Sequence, residues 1–350
     1  VRKAMELLPL GPVVIVDTPG FDDEGALGEL RVEATRKVLA TCDLAVLVVD
    51  ATRGFCETDT GLLSLFSEQG IPCVVASAKS DLVQQDAALP AVTGAAAVVR
   101  VSSITGEGIG ELKETLARVG AAAGPEPQLI ADLLDPGDMV VLVVPIDSAA
   151  PKGRLILPQQ QVIRDVLEAG ACAVITRDAE LARTLASLPG RPRMVVTDSQ
   201  VFGSVARVVP GDVPLTSFSI LFSRYKGDLA VQVAGAHALD TLTDRSRVLI
   251  CEGCTHHRQC EDIGTVKLPR LVREHTGADP LFEFVSGGDF PIDLSGYDLV
   301  IHCGGCTLGA RAMRGRVARA RDQGVPFTNY GVAIAHMHGI LPRVIEPFGL

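Results

Sequence analysis

Two short cysteine clusters, each placed at the end of an apolar run, constrain this 350-residue chain more than any other feature. The first cluster begins at Cys251 and the second ends at Cys306. Each follows residues that predict a buried β-strand, 247–250 before the first cluster and 297–301 before the second. Open α/β sheets bind ligands beyond the carboxyl ends of their strands, so we expect the two clusters to meet at one site.

The donor types predict a metal site, but they leave the identity of the metal open. Four thiolates from the pairs Cys251/Cys254 and Cys303/Cys306 would enclose a structural zinc. The 48 residues between the pairs exceed the spacing of a small zinc ribbon and are enough for a whole α/β unit. Three thiolates, without Cys251, would instead hold a [4Fe-4S] cluster with one exchangeable iron. Buried cysteines without a metal are the third interpretation.

Composition excludes several classes of protein. The formal net charge of −10 and an aromatic content of 4% argue against nucleic acid as a partner. No apolar run approaches the roughly 18 residues of a membrane span, and no signal-peptide pattern is present. Nine cysteines, some of them in CxxC pairs, favour metal binding in a reducing compartment. We therefore expect a cytoplasmic α/β protein of two or three domains.

Residues 1–124 are predicted to form a GTP-binding domain. A strand-like run ends at Asp17-Thr-Pro-Gly20, where Asp17 would hold the Mg²⁺ shell and the Gly20 N–H would meet a γ-phosphate. The GxxxxGK[ST] loop that cradles the β- and γ-phosphates occurs nowhere in the sequence. Because that loop comes before the Asp17 element in such domains, we expect a truncated domain without its phosphate loop and first switch. The intact protein is then a GTPase, and these 350 residues hydrolyse little or no GTP.

Two further elements of this domain would read the guanine base. The first, Lys79-Ser-Asp81, resembles the NKxD element, with Ala78 in place of Asn. Asp81 would accept the guanine N–H donors, and the stem of Lys79 would lie along the base. The second, Ser102-Ser103, follows a predicted strand and is similar to the loop whose backbone touches guanine. No residue of the domain is assigned a catalytic role.

Residues 125–213 predict a small domain with the order βαβαβ, and therefore a parallel sheet with right-handed crossovers. Its predicted strands lie at 138–144, 171–175 and 193–197. No pattern of catalytic residues occurs in it. A sheet this small has exposed edges that a second copy can cover, so we expect a homodimer.

The order of the motifs resembles one family, the GTPase of [FeFe]-hydrogenase maturation known as HydF. Cys254-Thr-His256 and His302-Cys303-Gly-Gly-Cys306 match the CxH and HCxxC elements of that family. The gap of 45 residues between His256 and His302 is one residue shorter than the family spacing. Residues 214–219 and 328–338 are also similar to the family sequence, and the resemblance extends over the whole chain.

The resemblance implies a truncated P-loop GTPase domain at 1–124, a dimerisation domain at 125–213 and an α/β iron-sulfur domain at 214–350. It implies that Cys254, Cys303 and Cys306 hold a [4Fe-4S] cluster. His256 and His302 are further candidate ligands, and Cys251 is a fourth ligand or a bystander.

The implied function is that of a scaffold and carrier for the diiron precursor of the hydrogenase active-site cofactor. GTP hydrolysis with Mg²⁺ would time the exchange of partners. Those partners are the radical-SAM maturases and apo-[FeFe]-hydrogenase. The alternative is a zinc-stabilised dimeric GTPase switch without cluster chemistry. A hydrolase with an open zinc position matches less well, because no carboxylate is placed as a general base beside the cysteines.

Overall fold

The computed structural model describes residues 2–18, 39, 42–83, 92–121, 128–146, 155–253, 262–287 and 289–350. They form a mixed α/β structure that divides into two compact units, Val1–Glu126 and Pro127–Leu350. Among the described residues, no helix combines the length and the apolar character needed to cross a membrane.

The strands of the first unit are β1 (Arg2–Leu7), β2 (Gly11–Val16), β3 (Ala45–Asp50), β4 (Cys73–Ala78) and β5 (Ala97–Arg100). Those of the second are β6 (Met139–Val143), β7 (Cys172–Thr176), β8 (Met194–Thr197), β9 (Leu215–Ser217), β10 (Arg247–Glu252), β11 (Leu281–Ser286), β12 (Leu299–His302) and β13 (Phe327–Asn329). The helices are α1 (Glu57–Glu68), α2 (Ile109–Ala121), α3 (Leu157–Glu168), α4 (Leu181–Ser187), α5 (Phe202–Val208), α6 (Phe218–Lys226), α7 (Leu229–Ala236), α8 (Leu268–Thr276), α9 (Ala310–Asp322), α10 (Tyr330–Met337) and α11 (Leu341–Ile345).

The first unit contains an antiparallel pair, β1 and β2, and a parallel sheet in the order β3-β4-β5. Strand β4 is central, and its first four residues are buried, as expected for a strand covered on both faces. Within the described residues, β2 does not pair with the three-stranded sheet. The element beginning at Asp17 therefore follows a different sheet from the two guanine-reading elements.

The second unit contains two parallel sheets of four strands each. Their orders are β7-β6-β8-β9 and β11-β10-β12-β13. The last strand of the first sheet is β9, where Leu215 is in register with Val195. The expected boundary between residues 213 and 214 thus falls before that sheet is complete, and the division of this unit into two domains stays a prediction.

One hydrophobic core lies between the two sheets of the second unit. It contains Val141 and Val195 from the first sheet and Val248 and Ile301 from the second. Helix α10 belongs to this core, because its residues 330–335 are all buried. A helix that is apolar on every side has to be surrounded by protein, and its burial fixes the second sheet against the first.

The segment between the two cysteine pairs holds the α/β unit that its length allows. Helix α8 leads to β11, which runs parallel to β10 with Phe284 in register with Ile250. Strand β11 is not indicated by the sequence pattern. This strand lies at the edge of its sheet and is only partly buried, so its residues do not form the continuous apolar run of a central strand.

Candidate metal centre

The carboxyl ends of β10 and β12 lie side by side in the second sheet. Cys251 is in register with His302, and the Cys303 N–H donates to the Cys251 carbonyl at 2.9 Å. The chain therefore leaves both strands at the same point of the sheet, as the sequence predicts. Cys254 and His256 lie outside the described residues.

The sulfur atom of Cys303 is the centre of this junction. It accepts the Gly253 N–H at 3.0 Å and the Gly305 N–H at 3.3 Å. One donor follows β10 and the other follows β12, so the two strand ends contribute together. Backbone N–H donors stabilise a thiolate over a thiol, and the thiolate is the form that binds metal. The surroundings of Cys303 thus fit a ligand of a metal or an iron-sulfur cluster.

Glycine at positions 253 and 305 permits this close approach. Gly305 has φ +60°, a conformation that glycine adopts at little cost. A Cβ atom on Gly253 would lie 3.2 Å from the Cα of Gly305 and 3.1 Å from Cδ1 of Leu308. A side chain at either position would push the two segments apart and weaken the hydrogen bonds to Cys303.

Lys226 binds the backbone of the loop that carries Cys306, a role that no sequence pattern indicates. Its ammonium group donates to the carbonyls of Gly305 at 3.1 Å, Cys306 at 2.9 Å and Leu308 at 2.7 Å. The residue is 7% exposed, and desolvation lowers the pKa of Lys226 while the charges of Cys306 and Cys303 act in the opposite sense. A buried cation at this position brings positive charge to the loop that carries Cys306.

The buried side chain of His302 also contacts the backbone of the segment that carries Cys303 and Cys306. Its Nε2 lies 2.7 Å from the Arg316 guanidinium, which can only donate, so Nε2 accepts and Nδ1–H donates to the Cys303 carbonyl at 2.7 Å. Burial, and then the charge of Arg316, lower the pKa of His302 to about 3. Both ring nitrogens are engaged in this arrangement, which gives His302 a structural role. Its assignment as a ligand stays a prediction that this geometry does not favour.

Cys251 is a core residue. It is fully buried in a cluster with Leu249, Met313, Val317 and Phe327. Burial raises the pKa of the Cys251 thiol far above its ordinary value. Its position in this apolar cluster fits a bystander to the metal site, and the zinc site of four thiolates stays an alternative prediction.

A buried hydroxyl group marks a further polar position near the site. Tyr330 is 7% exposed, and within the described part of the chain its Oη has no hydrogen-bond partner. Burial raises the pKa of Tyr330 well above its usual value, and the charges of Cys303 and Glu252 raise it further. An unpaired buried hydroxyl costs about 1–3 kcal/mol, so a polar ligand placed within its reach would be stabilised.

In the first unit, the two guanine-reading elements lie together at the ends of β4 and β5. The Ser80 N–H donates to the Val101 carbonyl at 3.2 Å, which ties the turn of Lys79 and Asp81 to the strand that precedes Ser102. Lys79 adopts φ 60°, so the chain turns sharply there and leaves Asp81 exposed at the sheet edge.

The side chains around these elements are held by polar contacts. The Ser102 hydroxyl accepts the N–H groups of Ile104 at 3.3 Å and Thr105 at 3.1 Å, which shapes the loop next to exposed Ser103. The Lys79 ammonium lies 2.7 Å from a carboxylate oxygen of Asp50. The structure therefore brings Lys79 and Asp81 to the same edge as the two serines. Asp17 follows β2 in the other sheet, and Gly20 lies outside the described residues.

Comparison with known protein families gives a consistent assignment to the three parts of the chain. Residues 129–227 match the hydrogen maturase F dimerization domain, and residues 230–347 match the hydrogen maturase F tetramerization domain. Together these two matches cover well over half of the chain. The chain belongs to the hydrogen maturase F family. In this family member, residues 12–122 match the elongation factor Tu GTP binding domain. The matched domains support oligomerisation and a role in hydrogenase maturation.

Curated relatives of this hydrogen maturase F chain are named GTPases. The chain is 31% identical to the tRNA modification GTPase MnmE of Synechococcus sp. (strain CC9311) over 122 residues, 34% of this chain and 26% of that protein. It is 36% identical to MnmE of Heliobacterium modesticaldum over 121 residues, 33% of this chain and 25% of that protein. It is 30% identical to the GTPase Era of Thermotoga petrophila over 112 residues, 30% of this chain and 37% of that protein. The chain thus spans between a quarter and somewhat over a third of the length of these relatives.

Proposed function

We propose that this hydrogen maturase F chain holds a [4Fe-4S] cluster on Cys254, Cys303 and Cys306 and carries the diiron precursor of the [FeFe]-hydrogenase cofactor. The observation that supports the proposal best is the environment of the Cys303 sulfur. It accepts one N–H from the end of each of two adjacent strands. A buried cysteine that only fills space needs no such pair of donors.

Three thiolates leave one iron of a four-iron cluster without a protein sulfur, so the bound cluster offers an exchangeable coordination position. The residues of the chain supply what makes this position usable. Lys226 fixes the carbonyls of the Cys306 loop and brings positive charge, which offsets the negative charge that the thiolates bring. His302 and Arg316 hold the backbone of Cys303 in place from the buried side.

The first unit would read the nucleotide and time the delivery. Asp81 accepts the guanine N–H donors, and Lys79 and the loop of Ser102 and Ser103 line the base. Asp17 and Gly20 belong to the part that meets Mg²⁺ and the γ-phosphate. Radical-SAM maturases would load the precursor and apo-[FeFe]-hydrogenase would receive it, in the cytoplasm, with the carrier acting as a homodimer.

Metal analysis of the whole chain tests the cluster. Protein reconstituted anaerobically with iron and sulfide should bind about four irons and four sulfides per chain and give the EPR signal of a reduced [4Fe-4S] cluster. Cys303→Ser should lose most of both, whereas Cys56→Ser, which changes an exposed cysteine of the first unit, should retain them. About one zinc and no sulfide in the unaltered chain would overturn the proposal in favour of the zinc-stabilised switch.

Delivery is tested separately from cluster binding. Cluster-loaded protein is treated with a synthetic diiron precursor, freed of excess reagent and mixed with apo-hydrogenase. The appearance of hydrogen evolution measures transfer. Cys303→Ser protein taken through the same reconstitution and precursor treatment should transfer little, and equal transfer by both proteins would show that the cluster is not the carrier position.

A further inference from the structure

We propose that His237, Asp240, His275 and His336 form a second metal site, which takes a divalent transition ion such as Zn²⁺. The site lies in the second unit and contains no cysteine. It is carried by the short helical turn His237–Thr241 and by helices α8 and α10.

The three histidine side chains surround the carboxylate of Asp240. Oδ1 of Asp240 lies 2.8 Å from Nε2 of His275 and 2.9 Å from Nε2 of His336. Its Oδ2 lies 3.0 Å from the same atom of His336 and 4.0 Å from Nδ1 of His237. The ligand atoms of His237, Asp240 and His336 all lie within 4.8 Å of one another. These three donors lie close enough together to share one ion, and Nε2 of His275 adjoins them at Oδ1 of Asp240.

These distances are close to those of a coordination sphere. Zinc bonds nitrogen and oxygen at roughly 2.0–2.2 Å in tetrahedral geometry, which places neighbouring donor atoms about 3.3 Å apart. The donor separations at Asp240 lie on both sides of that value, so small side-chain rotations would admit an ion. Imidazole suits zinc, copper, iron and nickel, and one carboxylate with three imidazoles forms a complete ligand set.

The rings pack in a way that limits their freedom. The ring centroid of His336 lies 5.1 Å from that of His237 and 5.6 Å from that of His275, both edge to face. The histidines come from three separate elements, so no helical repeat explains their convergence. Hydrogen bonds from His336 and His275 lower the pKa of Asp240, which keeps the carboxylate in the charged form that binds metal.

Two of the proposed ligands are largely buried and two are exposed to solvent. The side chains of His336 and His275 are 13% and 25% exposed, whereas those of Asp240 and His237 are 48% and 67% exposed. An ion can therefore enter from the solvent side of His237 and settle against the two inner imidazoles. Once bound, it would join α8 and α10 to the turn that follows α7. We expect binding to stabilise the second unit, because the ion binds only the folded arrangement.

Zinc binding by the full chain tests this proposal. The protein is stripped with a chelator, dialysed against Zn²⁺ and analysed for metal. The unaltered chain should bind one more zinc than His336→Gln or Asp240→Asn, whatever the cysteines bind. His338→Gln is the matched control, because this exposed histidine lies two residues beyond His336 and outside the cluster. Equal zinc content in all four proteins would overturn the proposal.

Two further measurements distinguish loss of the proposed site from unfolding of a variant and from metal binding by the cysteines. The thermal midpoints of the metal-free proteins show whether a variant has lost its fold, in which case His275→Gln replaces it. With Co²⁺, the equivalent lost in His336→Gln should lack the sulfur-to-metal charge-transfer band that thiolate ligands produce. A lost equivalent that carries this band would assign the ion to the cysteines and refute the site.

Discussion

The ammonium nitrogen of Lys226 lies 2.7 Å from the carbonyl oxygen of Leu308, two residues beyond Cys306. The same nitrogen binds the carbonyls of Gly305 and Cys306, so one buried side chain determines the path of the whole loop. This contact explains how a glycine-containing loop is held in place at the end of a strand.

Replacement of Lys226 by Met should destabilise the second unit by about 2–4 kcal/mol, because three buried carbonyls lose a charged donor. Iron content after reconstitution should also fall. Urea unfolding followed by circular dichroism measures the first effect, and iron analysis measures the second. Arg270→Met is the control, because it removes an exposed cation of the same unit. Equal stability of the two variants would show that the Lys226 contacts contribute little.

Gly235 is expected to tolerate no side chain. It lies on α7, where a Cβ atom would come within 2.7 Å of the carbonyl carbon of Phe327 and 2.8 Å of its nitrogen. Backbone atoms of β13 cannot move aside as a flexible side chain can, so Gly235→Ala should cost about 1–3 kcal/mol. Gly315→Ala, in open space on α9, should instead stabilise the protein by about 0.5–1 kcal/mol. Unfolding curves that move in the same direction for both variants would contradict this reading.

His302 should make stability depend on pH below neutrality. Its pKa is about 3 in the fold and about 6.5 in an unfolded chain. The stability from neutral His302 is thus complete above about pH 6.5 and is lost as pH falls toward 3, because the unfolded chain takes up a proton that the folded chain does not. The loss between about pH 7 and pH 5 should be about 2 kcal/mol.

Urea unfolding of the metal-free chain between about pH 7 and pH 5 measures this dependence. His302→Gln should flatten the curve, whereas His338→Gln, which changes an exposed histidine, should leave its slope unchanged. If His302→Gln keeps the full slope, another group is responsible for it.

The edge strand β7 is the expected site of dimer formation. It pairs only with β6 among the described strands, and Ile175 on it is 48% exposed. An open edge with an exposed apolar residue is a template for a second copy. Ile175→Lys should weaken dimerisation about tenfold or more, a cost of about 1.4 kcal/mol. Sedimentation analysis should detect the shift, while Val208→Lys, a change at a 40% exposed residue of α5, should leave the dimer intact.

Much of the fold was predictable because the strands are short, apolar and regularly spaced. The predicted strands lie at 138–144, 171–175 and 193–197. No end of these strands differs from the corresponding end of β6, β7 or β8 by more than one residue. The placement of both cysteine clusters at strand ends follows from the same pattern. Apolar runs of this kind report burial, and burial determines which segments become strands.

The side chains that contact the candidate site from distant parts of the chain were not predictable from the apolar runs. Lys226 binds backbone carbonyls about 80 positions away, and any residue type provides a carbonyl. His302 resembles a ligand in the sequence because it adjoins Cys303. Only the packing of α9 shows that Arg316 donates a hydrogen bond to its Nε2. The meeting of Asp240 with His336 joins residues 96 positions apart. Sequence patterns describe neighbours along a chain, whereas such contacts depend on how helices pack over a sheet.

The pairing of β10 with β12 also determines when the environment of Cys303 forms during synthesis of the chain. One N–H donor to the sulfur of Cys303 belongs to a residue 50 positions earlier, so this environment does not exist until both strands have joined the sheet. In a newly made chain, the cysteines are therefore not yet surrounded by the backbone N–H donors of the folded site. We expect the proposed cluster to form only after both strands have joined the sheet, so the amount of iron that a preparation accepts should report the fraction of chains whose second sheet is complete.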